Sequence, residues 1–230
     1  MMWWKTGIGI VIVGLLSWIG WTVTRPVPGT KIADLGRDHV SPEEVAKFTY
    51  NSNPPTSGPH LSMWVRAGVF DRAQREGELI HSLEHGYVII NYNCNVHLGE
   101  NPKSEIRNPK QIQNSKFKIQ NVFAHEEGSP SADFIDSTIA TGSAVNESDG
   151  CKTLVKQLTG VANKKKLWKL IVVPRPPQSN AAGTFDVPQL DTTIALTAWT
   201  YIDKFDAFDT GRIERFIDFH RDQGPEKTME

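Results

Sequence analysis

The sequence predicts an α/β or α+β protein, with an amino-terminal transmembrane helix followed by one layered domain that contains a small mixed sheet. Three observations support this prediction. An uncharged apolar run lies near the amino terminus, short β-branched runs of strand length follow, and stretches with one apolar helical face lie among them. The 230 residues suffice for one domain of ordinary size with a core, and are too few for two large domains.

Composition excludes several classes of protein. A hydrophobic content of 39% and a charged content of 22% exclude a chain that is disordered throughout. The formal net charge of −1 argues against a dedicated nucleic-acid binder, so no nucleic-acid partner is expected. The 2 cysteines exclude a cysteine-rich zinc scaffold and an iron–sulfur cluster.

The amino-terminal run at residues 7–23 is the predicted membrane contact. It carries no charge, it is just long enough to span a bilayer, and tryptophans flank both ends, as in an interfacial belt. We predict a signal anchor within residues 1–25, a tether at 26–35, and a single-pass protein of the cell membrane with residues 26–230 outside the cytoplasm. The alternative is a cleaved signal peptide, which would need small residues where Trp18 and Trp21 stand.

Two cysteines fit an exported domain. Cys94 and Cys151 are predicted to form a disulfide, because oxidising compartments favour one and the loop to be closed is long. Two unrelated buried thiols and a shared metal site are the alternatives.

One extracytoplasmic domain is predicted at residues 36–226, interrupted by an insertion at about 97–147. The insertion is of low complexity, with weak heptads that prolines interrupt and a carboxyl-terminal part rich in small and polar residues. It is interpreted as a solvated segment, and a basic ligand-binding arm is the alternative.

Five elements are predicted after residue 86, in the order β-α-β-β-α. The three strands are apolar, β-branched runs at Tyr87–Tyr92, Leu167–Val173 and Thr193–Trp199. The first helix runs from Cys151 to Leu158, capped by Ser148 or Asp149 and closed by Gly160, and the last begins at Asp209.

The stretch His81-Ser82-Leu83-Glu84-His85-Gly86 is the most informative motif. In a helical turn the imidazoles of His81 and His85 are neighbours and can share one metal ion, whereas in a strand they stand too far apart. Gly86 occupies the position of a helix-terminating glycine, which favours the helical turn. Glu84 is then a further ligand, a partner that orients a histidine, or a base.

A proline-rich loop supplies the next candidate ligand. Three prolines stiffen residues 53–60 and present His60 at the end of the loop. His39 is a further candidate, whereas His220 lies on an apolar helix face and is interpreted as a core histidine.

Imidazoles with one carboxylate suit a transition metal ion, zinc or copper before iron or nickel. The spacing His-x-x-Glu-His is also that of inverzincin metallopeptidases, so a metal-dependent hydrolase with Glu84 as catalytic general base is a second hypothesis. A non-catalytic envelope module without metal is the third. The sequence indicates no substrate and no protein partner.

Several stretches resemble the bacterial family catalogued as domain of unknown function 3105. They are residues 36–39, the segment from Tyr50 to His60, residues 68–70, Ile80–Gly86, residues 194–199, and the pieces Phe216-Ile217 and Gly224-Pro225-Glu226. The resemblance implies a membrane-anchored or exported domain, and it implies no particular activity.

Overall fold

A computed structural model describes residues 13–15, 26–94, 148–175 and 189–229. The predicted anchor lies outside these ranges except for residues 13–15, and the predicted insertion at about 97–147 lies outside them entirely. Within the described ranges, no helix has the length and apolar character needed to cross a bilayer.

In the part of the chain that the structure describes, six strands form one mixed sheet, in the order β1-β6-β5-β3-β4-β2. The strands are β1 (Thr30–Lys31), β2 (Gly68–Val69), β3 (Val88–Tyr92), β4 (Leu170–Pro174), β5 (Ile194–Ala198) and β6 (Tyr201–Phe205). Strand β4 pairs in parallel with β2 and β3, and the remaining neighbours are antiparallel. The predicted mixed α/β sheet is therefore confirmed.

Among the described residues from 26 onwards, four helices pack with this sheet or border it. They are α1 (Pro42–Lys47), α2 (Glu76–Glu84), α3 (Asp149–Lys164) and α4 (Thr210–His220). Side chains alternate between the two faces of a strand, so Ile89 and Ile171 pack with α2, while Val88 and Leu170 pack with α3 and α4. The sheet therefore lies between α2 on one face and the α3–α4 pair on the other.

The predicted order β-α-β-β-α is wrong because it lacks β6. Strands β5 and β6 form a hairpin whose turn, Trp199-Thr200, has no glycine, asparagine or proline to signal it. Thr200 nevertheless has a positive φ of 60°. Strand β6 also carries Asp203 and Lys204, so it lacks the apolar run that identified the other strands.

The boundaries of two predicted elements also change. Helix α3 continues past Gly160 to Lys164, because Val161 and Ala162 extend its buried stripe and outweigh the intrinsic cost of glycine. The strand predicted from Leu167 begins only at Leu170, since Leu167 has a positive φ of 55° in the preceding turn. The predicted caps at Ser148 and Asp209 are confirmed.

A disulfide joins Cys94 and Cys151, which are separated by 57 positions in sequence and by 5.3 Å between their Cα atoms. It connects the end of β3 to the first turn of α3, so the predicted bridge is confirmed. Near the amino terminus, β1 pairs with β6, which brings residues 30–31 of the predicted tether into the sheet.

Candidate metal centre

Helix α2 carries three of the candidate ligands in its last turn. Its apolar side is buried in the core through Leu79 and Leu83, and Ser82 fixes the helix to the preceding loop by donating to the carbonyl of Val65 at 2.8 Å. His81 and Glu84 lie in the helix and His85 is its C-cap. The predicted helical turn is therefore confirmed.

The end of α2 requires a glycine. Gly86 has a φ of 83°, in the left-handed region that L side chains rarely adopt. A Cβ atom there would lie 2.8 Å from the Cα of Asp222, because the carboxyl-terminal segment packs directly against this turn. The helix end that bears His81, Glu84 and His85 is thus enclosed by the last residues of the chain.

His39 and His60 come from two loop segments that pair through their backbones. Their residues form an isolated parallel β-bridge, in which the N–H of His60 donates to Asp38 and the N–H of Val40 donates to His60, both at 2.9 Å. The proline-rich loop is fixed by Tyr50, whose hydroxyl donates to the carbonyl of Pro59 at 2.6 Å. The two imidazoles are therefore held side by side, with ring centroids 4.9 Å apart.

One ligand atom from each of four residues falls within a single small volume. The donors of His39, His60, His81 and Glu84 all lie within 4.8 Å of one another. Ligands around a tetrahedral ion stand about 3.4 Å apart when the bonds are about 2.0–2.1 Å long. Small side-chain movements would therefore bring all four donors into a first coordination shell.

Backbone carbonyls determine which nitrogen faces the centre. Nδ1 of His60 lies 2.8 Å from the carbonyl of Gly58, and Nδ1 of His81 lies 2.8 Å from that of Leu61. A carbonyl only accepts, so each Nδ1 carries the hydrogen and the Nε2 atoms face the cluster. Nε2 of His60 lies 2.9 Å from Oε2 of Glu84, and Nε2 of His81 lies 3.0 Å from Nε2 of His85.

His81 is a neutral imidazole at physiological pH. The pKa of His81 is lowered to about 4, mainly by burial and in addition by the charges that His85, His60 and His39 would carry when protonated. A neutral ring with its hydrogen on Nδ1 presents an Nε2 lone pair, which is the form that binds metal.

The cluster is open to solvent on the side of His39. The side chain of His39 is 48% exposed, whereas those of His60 and Glu84 are buried. Nη1 of Arg37 lies 3.7 Å from Oε1 of Glu84, and Arg37 is itself exposed. On the inner side, the Trp64 ring packs against His85 with centroids 4.9 Å apart.

His85 belongs to a second, adjacent group. The donors of His81, His85 and Glu226 also lie within 4.8 Å of one another, and Oε2 of Glu226 is 3.6 Å from Nε2 of His85. The carboxyl-terminal segment holds Glu226 next to His85, because the N–H of Glu226 donates to the carbonyl of Glu84 at 3.1 Å.

The structure thus brings together His39, His60, His81 and Glu84, with His85 beside His81. His220 is apart from them, buried on α4 with Nε2 donating to the carbonyl of Pro28 at 2.8 Å, which confirms it as a core histidine. Sequence reasoning missed Arg37, Trp64 and Glu226 as neighbours of the cluster. The only signal for Glu226 was its place in one of the stretches that carry the family resemblance.

Three imidazoles and one carboxylate suit a borderline transition metal ion such as zinc or copper. The tautomers imposed by Gly58 and Leu61 supply the second hydrogen bond that metal-bound histidines normally make. The cluster therefore has the donors, spacing and supporting contacts to hold one metal ion. The disulfide in the same domain is typical of an extracytoplasmic compartment.

No curated protein and no solved structure shows a significant match to the chain. One family model does match, and it covers the stretch that supplies His39, His60, His81, Glu84 and His85. Residues 39–113 of the chain match the model of the family described as "Protein of unknown function (DUF3105)", which confirms within that range the resemblance found in the sequence.

Proposed function

We propose that the protein is a membrane-anchored extracytoplasmic domain that binds one transition metal ion, zinc or copper, through His39, His60, His81 and Glu84. The observation that carries the proposal is the convergence of these four donors, from three separate segments, within 4.8 Å. His85 lies beside His81 and completes the immediate surroundings of the ion.

The contact between His60 and Glu84 supports metal binding over a purely structural role. Nδ1 of His60 carries its hydrogen, so a neutral His60 would direct the Nε2 lone pair at the Glu84 carboxylate, 2.9 Å away. Two acceptors at this distance repel unless a cation lies between or beside them. That cation is a proton or a metal ion, and the nearby lone pair of His81 favours the metal ion.

The position of Glu84 favours a ligand over a general base. In the His-x-x-Glu-His arrangement of a peptidase, the glutamate is free to activate a water molecule while both histidines bind zinc. Here Oε2 of Glu84 is engaged with His60, and Nε2 of His39 is 3.8 Å away from the same oxygen. We therefore rank metal binding above hydrolysis.

The proposed location, outside the cytoplasm and attached to the cell membrane, is supported by an apolar segment and by a disulfide. The apolar run at residues 7–23 is the proposed single-pass anchor in the cell membrane, and the disulfide supports placing the following domain outside the cytoplasm.

Isothermal titration with Zn²⁺ and Cu²⁺ tests the proposal, using the full chain in detergent after treatment with a chelator. The wild type is expected to bind one ion per chain. His60→Asn and Glu84→Gln are each expected to weaken binding at least tenfold, because each removes a charge or donor from the coordination shell.

His220→Asn is the matched control, since it removes a buried histidine that lies outside the cluster. It is expected to bind metal as the wild type does, and circular dichroism of all variants checks that they fold. A folded wild type that binds neither metal would overturn the proposal and leave the non-catalytic envelope module.

A further inference from the structure

The two ligand groups overlap at one residue. His81 belongs both to the group with His39, His60 and Glu84 and to the group with His85 and Glu226. We call these the first position and the second position. Nε2 of His81 lies 3.0 Å from Nε2 of His85, so an ion bound to His81 is within reach of either group.

His81 can bind only one ion at a time. Its Nδ1 carries a hydrogen that is donated to the carbonyl of Leu61 at 2.8 Å, which leaves one lone pair, on Nε2. An imidazole with one available nitrogen cannot bridge two metal ions. The two positions therefore exclude each other when each uses His81, and the cluster holds one ion in either of two places.

The second position is built into the fold. Backbone contacts hold the carboxyl-terminal segment against the end of α2, with the N–H of Asp222 donating to Gly86 at 2.7 Å and that of Glu226 donating to Glu84 at 3.1 Å. The buried Nζ of Lys169 adds hydrogen bonds to the carbonyl of His85 at 2.9 Å and to Asp222 at 2.8 Å. The backbone at Glu226 is therefore fixed next to His85.

Each position has its own exposed residue. The side chain of His39 is 48% exposed in the first position, and that of Glu226 is 49% exposed in the second. His81 and His85, which lie between these two residues, are buried. An ion can thus be reached from solvent through a different residue in each position.

Resting on the proposed function, we propose that the cluster is a metal-transfer site, in which the ion moves between two positions while His81 stays bound. His85 and Glu226 bind as His39, His60 and Glu84 leave, so the ion never loses all its protein ligands. The second position then presents the ion to an incoming chelating ligand. The protein is accordingly a carrier that delivers a divalent transition metal ion to an acceptor.

Transfer of Co²⁺ from the loaded full chain to EDTA, followed by the cobalt absorption spectrum in stopped flow, tests this proposal. The wild type is expected to bind one Co²⁺ per chain. Glu226→Gln is expected to keep this stoichiometry and most of the affinity, because the first position stays complete. The same variant is expected to transfer the ion about tenfold more slowly, the size of effect typical of losing one supporting group.

His85→Asn is the second variant, expected to slow transfer in the same way. Glu214→Gln is the matched control, since this glutamate lies on α4 and pairs with Lys164 of α3, on the face of the sheet opposite to α2. Two ions bound at once, or transfer from Glu226→Gln and His85→Asn at the wild-type rate, would overturn the two-position proposal while leaving metal binding intact. Absence of Co²⁺ binding by the wild type would overturn the transfer proposal, whereas the proposal of metal binding is decided by the titration with Zn²⁺ and Cu²⁺.

Discussion

The properties of individual residues in the cluster depend on local backbone contacts. Nδ1 of His60 donates to the carbonyl of Gly58, and Nδ1 of His81 donates to the carbonyl of Leu61. Both rings therefore present Nε2 to the same volume. Gly86 ends the helix so that His81 and Glu84 lie in its last turn. These constraints hold the donors in place before any ion binds, which reduces the conformational entropy lost on binding.

Substitution of Gly86 tests whether the end of α2 is as constrained as described. Gly86→Ala should lower the free energy of unfolding by at least about 2 kcal/mol, because alanine is strained at positive φ. Its Cβ would also meet the backbone of Asp222 at 2.8 Å. Urea denaturation of the full chain in detergent measures the change.

Gly160→Ala is the control for that experiment. Gly160 lies within α3, and nothing in the described residues stands within 4 Å of an added Cβ. This variant should be about 0.5–1 kcal/mol more stable than the wild type, since alanine favours a helix over glycine. Equal effects of the two substitutions would contradict the assignment of Gly86 as a required left-handed residue.

A second residue-scale prediction concerns His220. Burial lowers the pKa of His220 below its ordinary value, although the contact with Pro28 opposes the shift. The unfolded chain, whose histidine titrates near pH 6.5, therefore binds a proton more readily than the folded protein. Stability contributed by the neutral ring is complete above about pH 6.5 and is lost progressively below it.

Replacement of His220 removes that dependence. His220→Asn should show a smaller loss of stability than the wild type between pH 7 and pH 5, when thermal unfolding is followed at each pH. If the variant and the wild type lose the same stability between the two pH values, His220 has the same pKa in the folded and the unfolded chain.

At the scale of elements, the sequence predicted those strands and helix ends that depend on residues close together in the chain. The run Val88–Tyr92 and the caps of α3 and α4 are encoded within a few residues, so they could be found without the fold. Strand β6 and the extension of α3 beyond Gly160 depend on packing against distant segments, which outweighs local preference. The contact of Glu226 with His85 likewise requires the chain end to return to α2.

The disulfide gives an element-scale prediction. It joins two cysteines that are 57 positions apart in sequence. The chain-entropy model assigns a stabilisation of about 4 kcal/mol to closing a loop of this length. The double variant Cys94→Ala/Cys151→Ala should therefore unfold in urea with about 4 kcal/mol less stability than the oxidised wild type.

Reduction provides the control for this prediction. A reducing agent should bring the wild type close to the double variant and leave the variant itself unchanged. If the oxidised wild type and the double variant unfold alike, the bridge between β3 and α3 does not constrain the unfolded chain.

At the scale of the whole molecule, the sheet places the cluster at one end of α2, beside the carboxyl-terminal segment. The proposed anchor at residues 7–23 precedes β1, which pairs with β6 at the opposite edge of the sheet from β2. A domain attached in this way would keep a bound metal ion in the space next to the membrane.

Membrane attachment is testable by fractionation. The full chain should sediment with membranes, resist extraction by alkaline carbonate and be released by detergent, because residues 7–23 are expected to span the bilayer. A variant that begins at residue 26 should not sediment. Release of the full chain by carbonate alone would contradict a spanning anchor.

The central claim is that donors from separate segments bind one metal ion at His81. An anomalous difference map from crystals of the zinc-loaded full chain tests it most directly. The account predicts one zinc ion per chain, within about 2.0–2.1 Å of Nε2 of His81 and bound also by His60 and Glu84, or by His85 and Glu226. A zinc ion that avoids His81, or a cluster that stays without one in saturating zinc, would contradict the account.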